Sequence, residues 1–133
     1  MIKLIMGLKG TGKTKTLIQM ANDAVKKEHG SVVCIEKGMK LRYDIGYDCR
    51  LISADEFRID SYDKCYGFIC GLRAGNYDIT DLFIDSIMKF CGEDQHQLLE
   101  FLKQIEPMSE HINFLITASF DPDKAIDELK KYF

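Results

Sequence analysis

The chain has no C-x-x-C pair, no apolar run near the roughly 18 residues that cross a bilayer, and no excess of basic charge. Each absence excludes a class. Its five cysteines, Cys34, Cys49, Cys65, Cys70 and Cys91, form an odd set without metal-ligand spacing, which argues against a disulfide framework and for reduced thiols. Cys34 and Cys70 lie in apolar runs and are expected in the core. His29, His96 and His111 share no ligand spacing with one another or with the cysteines, and are expected at helix ends or in loops. A net charge of −3 gives no electrostatic footprint for nucleic acid beyond what a localised patch would supply, so a nucleic-acid partner is not expected. Met1-Ile2-Lys3-Leu4-Ile5-Met6 lacks the basic n-region and long h-region of a secretory leader. The expected location is the cytoplasm, with no membrane partner.

What is present is a soluble-domain composition: 133 residues, 46% hydrophobic and 29% charged. A chain of that size buries roughly two thirds of its unfolded surface, and a single domain over residues 1–133 is expected. Short apolar runs alternate with helix-period segments, the pattern of β-α-β units on a mainly parallel sheet of about five strands in a three-layer α/β/α fold. The predicted strands are Ile2–Met6, Ser31–Ile35, Arg50–Ser53, Asp81–Asp85 and Ile112–Ala118. A helix is predicted from Lys13 to about Lys27, with Leu17, Ile18, Ala21, Ala24 and Val25 on one face. Tyr62, Cys65, Tyr66, Ile69 and Leu72 mark a second, stopped by a left-handed Gly75-Asn76; Leu98, Leu99, Leu102 and Ile105 mark a third, ending before Pro107. Asp121 and Pro122 cap a last amphipathic helix carrying Ile126 and Leu129.

The informative motif is Gly7-Leu8-Lys9-Gly10-Thr11-Gly12-Lys13-Thr14, a G-x-x-x-x-G-K-[ST] pattern between an apolar strand and an amphipathic helix. Its glycines let the backbone curl until successive N–H groups point inward at phosphate oxygens, reinforced by the positive end of the helix dipole. Gly7, Lys9, Gly10, Thr11, Gly12, Lys13, Thr14 and Lys15 are therefore the candidate nucleotide-binding residues, with Lys9 and Lys15 entering through backbone amides. Lys13 is expected to reach the β- and γ-phosphates, and the Thr14 hydroxyl to ligand Mg²⁺. The guanine-reading N-K-x-D motif is absent, which favours ATP over GTP.

Nucleotide-bound Mg²⁺ needs a carboxylate, normally at the tip of a neighbouring strand, and Asp85 after Leu82-Phe83-Ile84 meets that need. Hydrolysis needs a further group to orient water. Ser86, not Glu, follows Asp85; Glu36, at the tip of the second strand, is the catalytic candidate beside Lys13, with Asp55 and Glu56 behind it. Thr117 and Ser119 are placed to sense a γ-phosphate or to satisfy local turn donors.

These residues resemble the RecA-like branch of the P-loop ATPases. The likeness rests on the phosphate loop, on Val33-Cys34-Ile35-Glu36 as a strand ending in an acid, and on Leu82-Phe83-Ile84-Asp85-Ser86. The resemblance implies that Glu36 activates water and that Asp85 and Ser86 hold Mg²⁺. The further strands and DNA-binding loops of recombinases have no counterpart, so recombination is not expected. The zinc-binding cysteine pairs of thymidine kinases are likewise absent.

Three functions follow. The first is a minimal ATPase hydrolysing ATP to ADP and phosphate, completed in an oligomer by an arginine from a neighbour because transition-state charge needs a second cation beyond Lys13; Arg42, Arg50, Arg58 and Arg73 all lie mid-chain and are expected at the surface. The second is a nucleotide-dependent protein-binding module with little turnover, its partner surface marked by Tyr43, Tyr47, Phe57, Tyr62 and Phe133. The third, a small-molecule kinase, is the weakest: no arginine follows Arg73 to build a lid, and Gly38–Asp48 is the one segment that could face a substrate.

Overall fold

The computed structural model describes residues 1–27 and 30–133, so His29 lies outside the described residues. Five strands, β1 (Ile2–Gly7), β2 (Ser31–Glu36), β3 (Cys49–Ser53), β4 (Ile79–Ile84) and β5 (Asn113–Ser119), form one sheet. Every pairing is parallel, in the order β1-β5-β4-β2-β3. The helices are α1 (Lys13–Lys27), α2 (Tyr62–Gly75), α3 (Met88–Cys91), α4 (Gln95–Ile105) and α5 (Asp127–Lys130).

Side chains alternate across a strand, and in a doubly covered sheet both sets are apolar. Val32, Cys34, Phe83 and Leu115 face α1 and pack with Leu17 and Ala21. Their neighbours Val33, Ile35, Leu82, Ile84, Phe114 and Ile116 face the opposite layer, made by α2, α3, α4 and α5. The result is a three-layer α/β/α domain. The same parity sends Glu36, Asp85 and Thr117 to the α1 side, at the end of the sheet where α1 begins. The outer edge of β1 is partly covered, because the Leu4 N–H donates to the Tyr132 carbonyl at 2.7 Å.

Caps set the helix starts: the Ser61 hydroxyl accepts from Lys64 N–H at the head of α2, and the Asp94 carboxylate accepts from His96 and Gln97 N–H at the head of α4. His96 thus sits at a helix end, and His111 ends a 3₁₀ turn over Glu106–Glu110 that carries Pro107.

Several local expectations are corrected. The chain leaves α2 through an extended Asn76 (φ −152°), not through a left-handed Gly75, because the Asn76 N–H still reaches Leu72 O and closes the last turn. The last helix is broken: Asp121 and Pro122 open a 3₁₀ turn, Ile126 is extended, and α5 starts at Asp127. Tyr62 is buried rather than a surface aromatic, with its hydroxyl donating to Gly92 O at 2.6 Å. Cys70 is only half-buried, whereas Cys34, Cys49, Cys65 and Cys91 are buried, and all five are free thiols. Burial raises the Cys34 thiol pKa well above its ordinary value and that of Cys49 to about 11, leaving both protonated and unreactive at neutral pH. Among the described residues, no helix is long and apolar enough to cross a membrane.

Candidate phosphate-binding site

Between β1 and α1 the chain must reverse from an extended to a helical path in five residues, Leu8 to Gly12. Gly10 and Gly12 both sit at φ +86°, a left-handed conformation that side chains rarely adopt. Those two positions curl the loop, with Thr11 N–H and Thr11 Oγ1 both donating to Leu8 O. Helix α1 then starts abruptly: Thr16 N–H donates to Gly12 O at 3.0 Å. The amides of Gly12, Lys13, Thr14 and Lys15 have no acceptor among the described residues, so the loop presents a set of unpaired N–H groups at a helix N-terminus.

Lys13 is 7% exposed, an unusual setting for a lysine, and its ammonium donates to Leu8 O at 3.0 Å. Burial lowers its pKa below the ordinary 10.5; Asp85 pulls it back up, and Lys89 presses it further down. A desolvated cation beside unpaired helix-start amides is complementary to an anion.

Asp85 lies immediately after β4 and is 8% exposed. Thr14 Oγ1 donates to its carboxylate at 3.1 and 3.3 Å, Thr117 Oγ1 at 2.9 Å, and Ser86 Oγ at 3.4 Å. The strand order explains the convergence: β5 lies between the phosphate-loop strand and β4, so Thr117 reaches Asp85 from the adjacent strand. Thr117 Oγ1 also accepts the Ser86 N–H at 2.7 Å, while Ser86 holds φ +53°. That turn tips the chain out of β4 into α3, a helix absent from the sequence reading.

Thr14 and Asp85 form a contacting hydroxyl–carboxylate pair of hard oxygen donors, which suits Mg²⁺. Among the described residues no three His, Cys, Asp or Glu side chains group around a metal position, so phosphates would have to complete the coordination. Mg²⁺ is commonly held in that way, by one or two carboxylates plus substrate phosphates.

Beside Thr14 lies an open pocket of about 400 Å³, bounded by Lys9, Gly10 and Gly12 to Lys15 of the loop and by Ser86, Lys89 and Ser119. Lys9, Lys13, Lys15 and Lys89 all line it, so cations crowd one spot of a chain whose net charge is −3. Lys89 went unnoticed in the sequence, where nothing separates it from a surface lysine. On the far side of the loop a second groove, about 440 Å³, runs past Met6, Leu8, Thr16 and Pro122.

Glu36 ends β2 beside Asp85, whose N–H donates to Ile35 O. It is buried, not solvent-facing, and its two oxygens accept from Lys40 N–H at 3.2 Å and Leu41 N–H at 2.8 Å. Its carboxylate therefore caps a 3₁₀ turn over Lys40–Tyr43. That turn and the residues after it bury Leu41 and Ile45 against α1, so the Gly38–Asp48 segment covers the sheet. Asp55 is exposed and paired with Lys37 at 3.2 Å.

Thr117→Val keeps the shape of a fully buried side chain but removes the hydroxyl that serves both Asp85 and the Ser86 N–H. The expected loss is about 1–3 kcal/mol of stability in urea denaturation, as for a buried group left unpaired. Thr117→Ser should recover most of it.

The parallel sheet with its strand–loop–helix start has a P-loop NTPase-like fold. By structure the chain is similar to the flagellar accessory protein FlaH from Methanocaldococcus jannaschii, with a TM-score of 0.58 and 16% identity, covering 96% of this chain and 64% of FlaH. It is also similar to domain III of the Thermotoga maritima replication initiation protein DnaA, with a TM-score of 0.51 and 19% identity, covering 98% of this chain and 50% of that one. The chain thus spans less than two thirds of the length of either. Identities this low carry the fold and nothing finer. No protein-family model matches the chain, and no curated protein matches it in sequence.

Proposed function

We propose that the chain binds Mg-ATP at the Gly7–Thr14 loop and hydrolyses it to ADP and phosphate. The observation that carries this reading is the buried, desolvated Lys13 beside unpaired helix-start amides and the Thr14–Asp85 pair. Lys13 and the amides of Gly12 to Lys15 hold the phosphates. Thr14 and Asp85 hold Mg²⁺, which when bound neutralises phosphate charge. The groove past Met6 and Pro122, which Asp121 and Asp123 also line, receives the nucleoside, and the absence of the guanine-reading N-K-x-D motif from the sequence favours adenine. Glu36 is the side chain available to orient water, because it reaches the same sheet edge on the α1 face.

A second reading is a nucleotide-dependent protein-binding module with little turnover, and one observation favours it. The Glu36 carboxylate is engaged by two backbone amides, so it must leave them before it can polarise water. Tyr43 and Tyr47, 84% and 102% exposed on the adjoining segment, offer a partner an aromatic surface. Small-molecule kinase activity gains no support, since the Gly38–Asp48 segment packs on α1 instead of facing the phosphate loop.

The separating experiment is phosphate release from Mg-ATP over a range of protein concentrations, with Lys13→Ala as the blank and calorimetric ATP binding alongside. Release that disappears in the variant supports the ATPase, and a rate rising more than linearly with protein supports a site completed in an oligomer. Binding without release sinks the ATPase and leaves the module. Absence of binding sinks both.

A further inference from the structure

From Asp81 to Cys91 every residue is buried except Lys89. Its backbone has little freedom. Ser86 turns the chain at φ +53° with its N–H on Thr117 Oγ1, Ile87 N–H donates to Thr117 O at 3.0 Å, and Lys89 N–H donates to Ser86 O at 2.9 Å. Met88, Phe90 and Cys91 fix the rest of α3 in the core. The one outward side chain on this pinned turn lines the phosphate pocket beside Lys13. Among the described residues no carboxylate lies within ion-pair distance of it. A packed fold that brings two lysine side chains to one pocket, with no acid paired to the second, sets like charges where a polyanion is favoured.

The two grooves give a direction. The one past Met6 and Pro122 meets the loop at Leu8 and Thr11, whereas Lys89 lines the one beyond Gly10 and Thr14, beside Ser86 and Ser119. A nucleotide whose base occupies the first groove ends its phosphate chain in the second. None of Arg42, Arg50, Arg58 and Arg73 lines either groove.

We propose that Lys89 is a second phosphate-binding cation, supplied by this chain rather than by a neighbouring subunit, which contacts the terminal phosphate and lets the site distinguish ATP from ADP. The proposal rests on the nucleotide reading above. It replaces the expected arginine from a neighbour with a cation already in place.

The test is calorimetric binding of Mg-ADP and of the non-hydrolysable β,γ-imido analogue of ATP to the wild type, Lys89→Met and Lys89→Arg. Loss of a charge-assisted contact to the terminal phosphate should weaken analogue binding by roughly 10- to 100-fold in Lys89→Met, with ADP binding held within about twofold. Lys89→Arg should restore most of the preference. Lys89 is exposed, so the melting temperature of Lys89→Met should match the wild type. Equal weakening of both nucleotides, or of neither, overturns the role given to Lys89 while leaving the nucleotide site standing. A wild type that binds neither overturns both.

Discussion

Truncating Phe114 to alanine should lower stability by about 3–5 kcal/mol, the range for a large aromatic removed from a core that cannot collapse around the void. Phe114 is 0% exposed and is among the largest side chains the fold buries completely. It stands on β5, an interior strand paired on both sides, opposite Ile2 on β1 and Leu82 on β4, with its N–H donating to Met1 O. A strand held on both sides cannot shift to close a cavity. Domains of this size have on the order of 5–15 kcal/mol in total, so the variant should sit near the edge of folding. A lower urea midpoint with an unchanged slope would read out the loss. Phe114→Leu, closer in volume, should cost about 1.5 kcal/mol or less. A midpoint for Phe114→Ala within experimental error of the wild type would contradict the packing described for β5.

The same strand shows what was legible in the sequence and what was not. The loop from Gly7 to Thr14 was readable because its chemistry is local: glycines at φ +86°, a strand before and a helix after all fall within a few residues. The interior strands β2, β4 and β5 were readable because parallel strands buried on both faces are near-continuous apolar runs, and the edge strands β1 and β3 as shorter apolar runs interrupted by the exposed Lys3 and Arg50. Asp85 was readable as a strand-tip acid, but its contacts were not. Thr14 Oγ1 and Thr117 Oγ1 converge on it from 71 and 32 residues away, and only the placement of β5 between β1 and β4 brings them together. Lys89 was hidden for a related reason. Its position depends on the Ser86 turn, which depends in turn on Thr117, and no periodicity encodes that chain of contacts. Glu36 was placed at the correct sheet edge by its strand, yet the amides of Lys40 and Leu41 that occupy its carboxylate belong to a segment the sequence left irregular. The left-handed stop at Gly75 failed differently: glycine permits a positive φ without requiring it, and Asn76 closed the turn from an extended conformation.

Lys13→Met should move stability and ligand affinity in opposite directions. The lysine is 7% exposed, and burial is the largest cause of its lowered pKa. A cationic group whose pKa is lower in the folded than in the unfolded chain opposes folding at every pH below the folded value. That cost fades as pH rises towards the ordinary 10.5. Methionine keeps the apolar stem and removes the charge, giving up the contact with Leu8 O and the attraction of Asp85. The melting temperature of the nucleotide-free variant should therefore hold or rise at neutral pH. Affinity for Mg-ATP should fall about 100-fold or more, because a buried cation facing phosphate contributes several kcal/mol to binding. The wild type carries a further signature. Phosphate beside Lys13 would raise its pKa again, so at alkaline pH, where the free lysine has begun to lose its proton, binding takes one up and ATP affinity should weaken as pH climbs through the lowered free-state value. The methionine variant should lack that dependence. A variant that loses stability and ATP affinity together would assign Lys13 to holding the loop in shape; loss of affinity alone, with the alkaline dependence gone, assigns it to the phosphates.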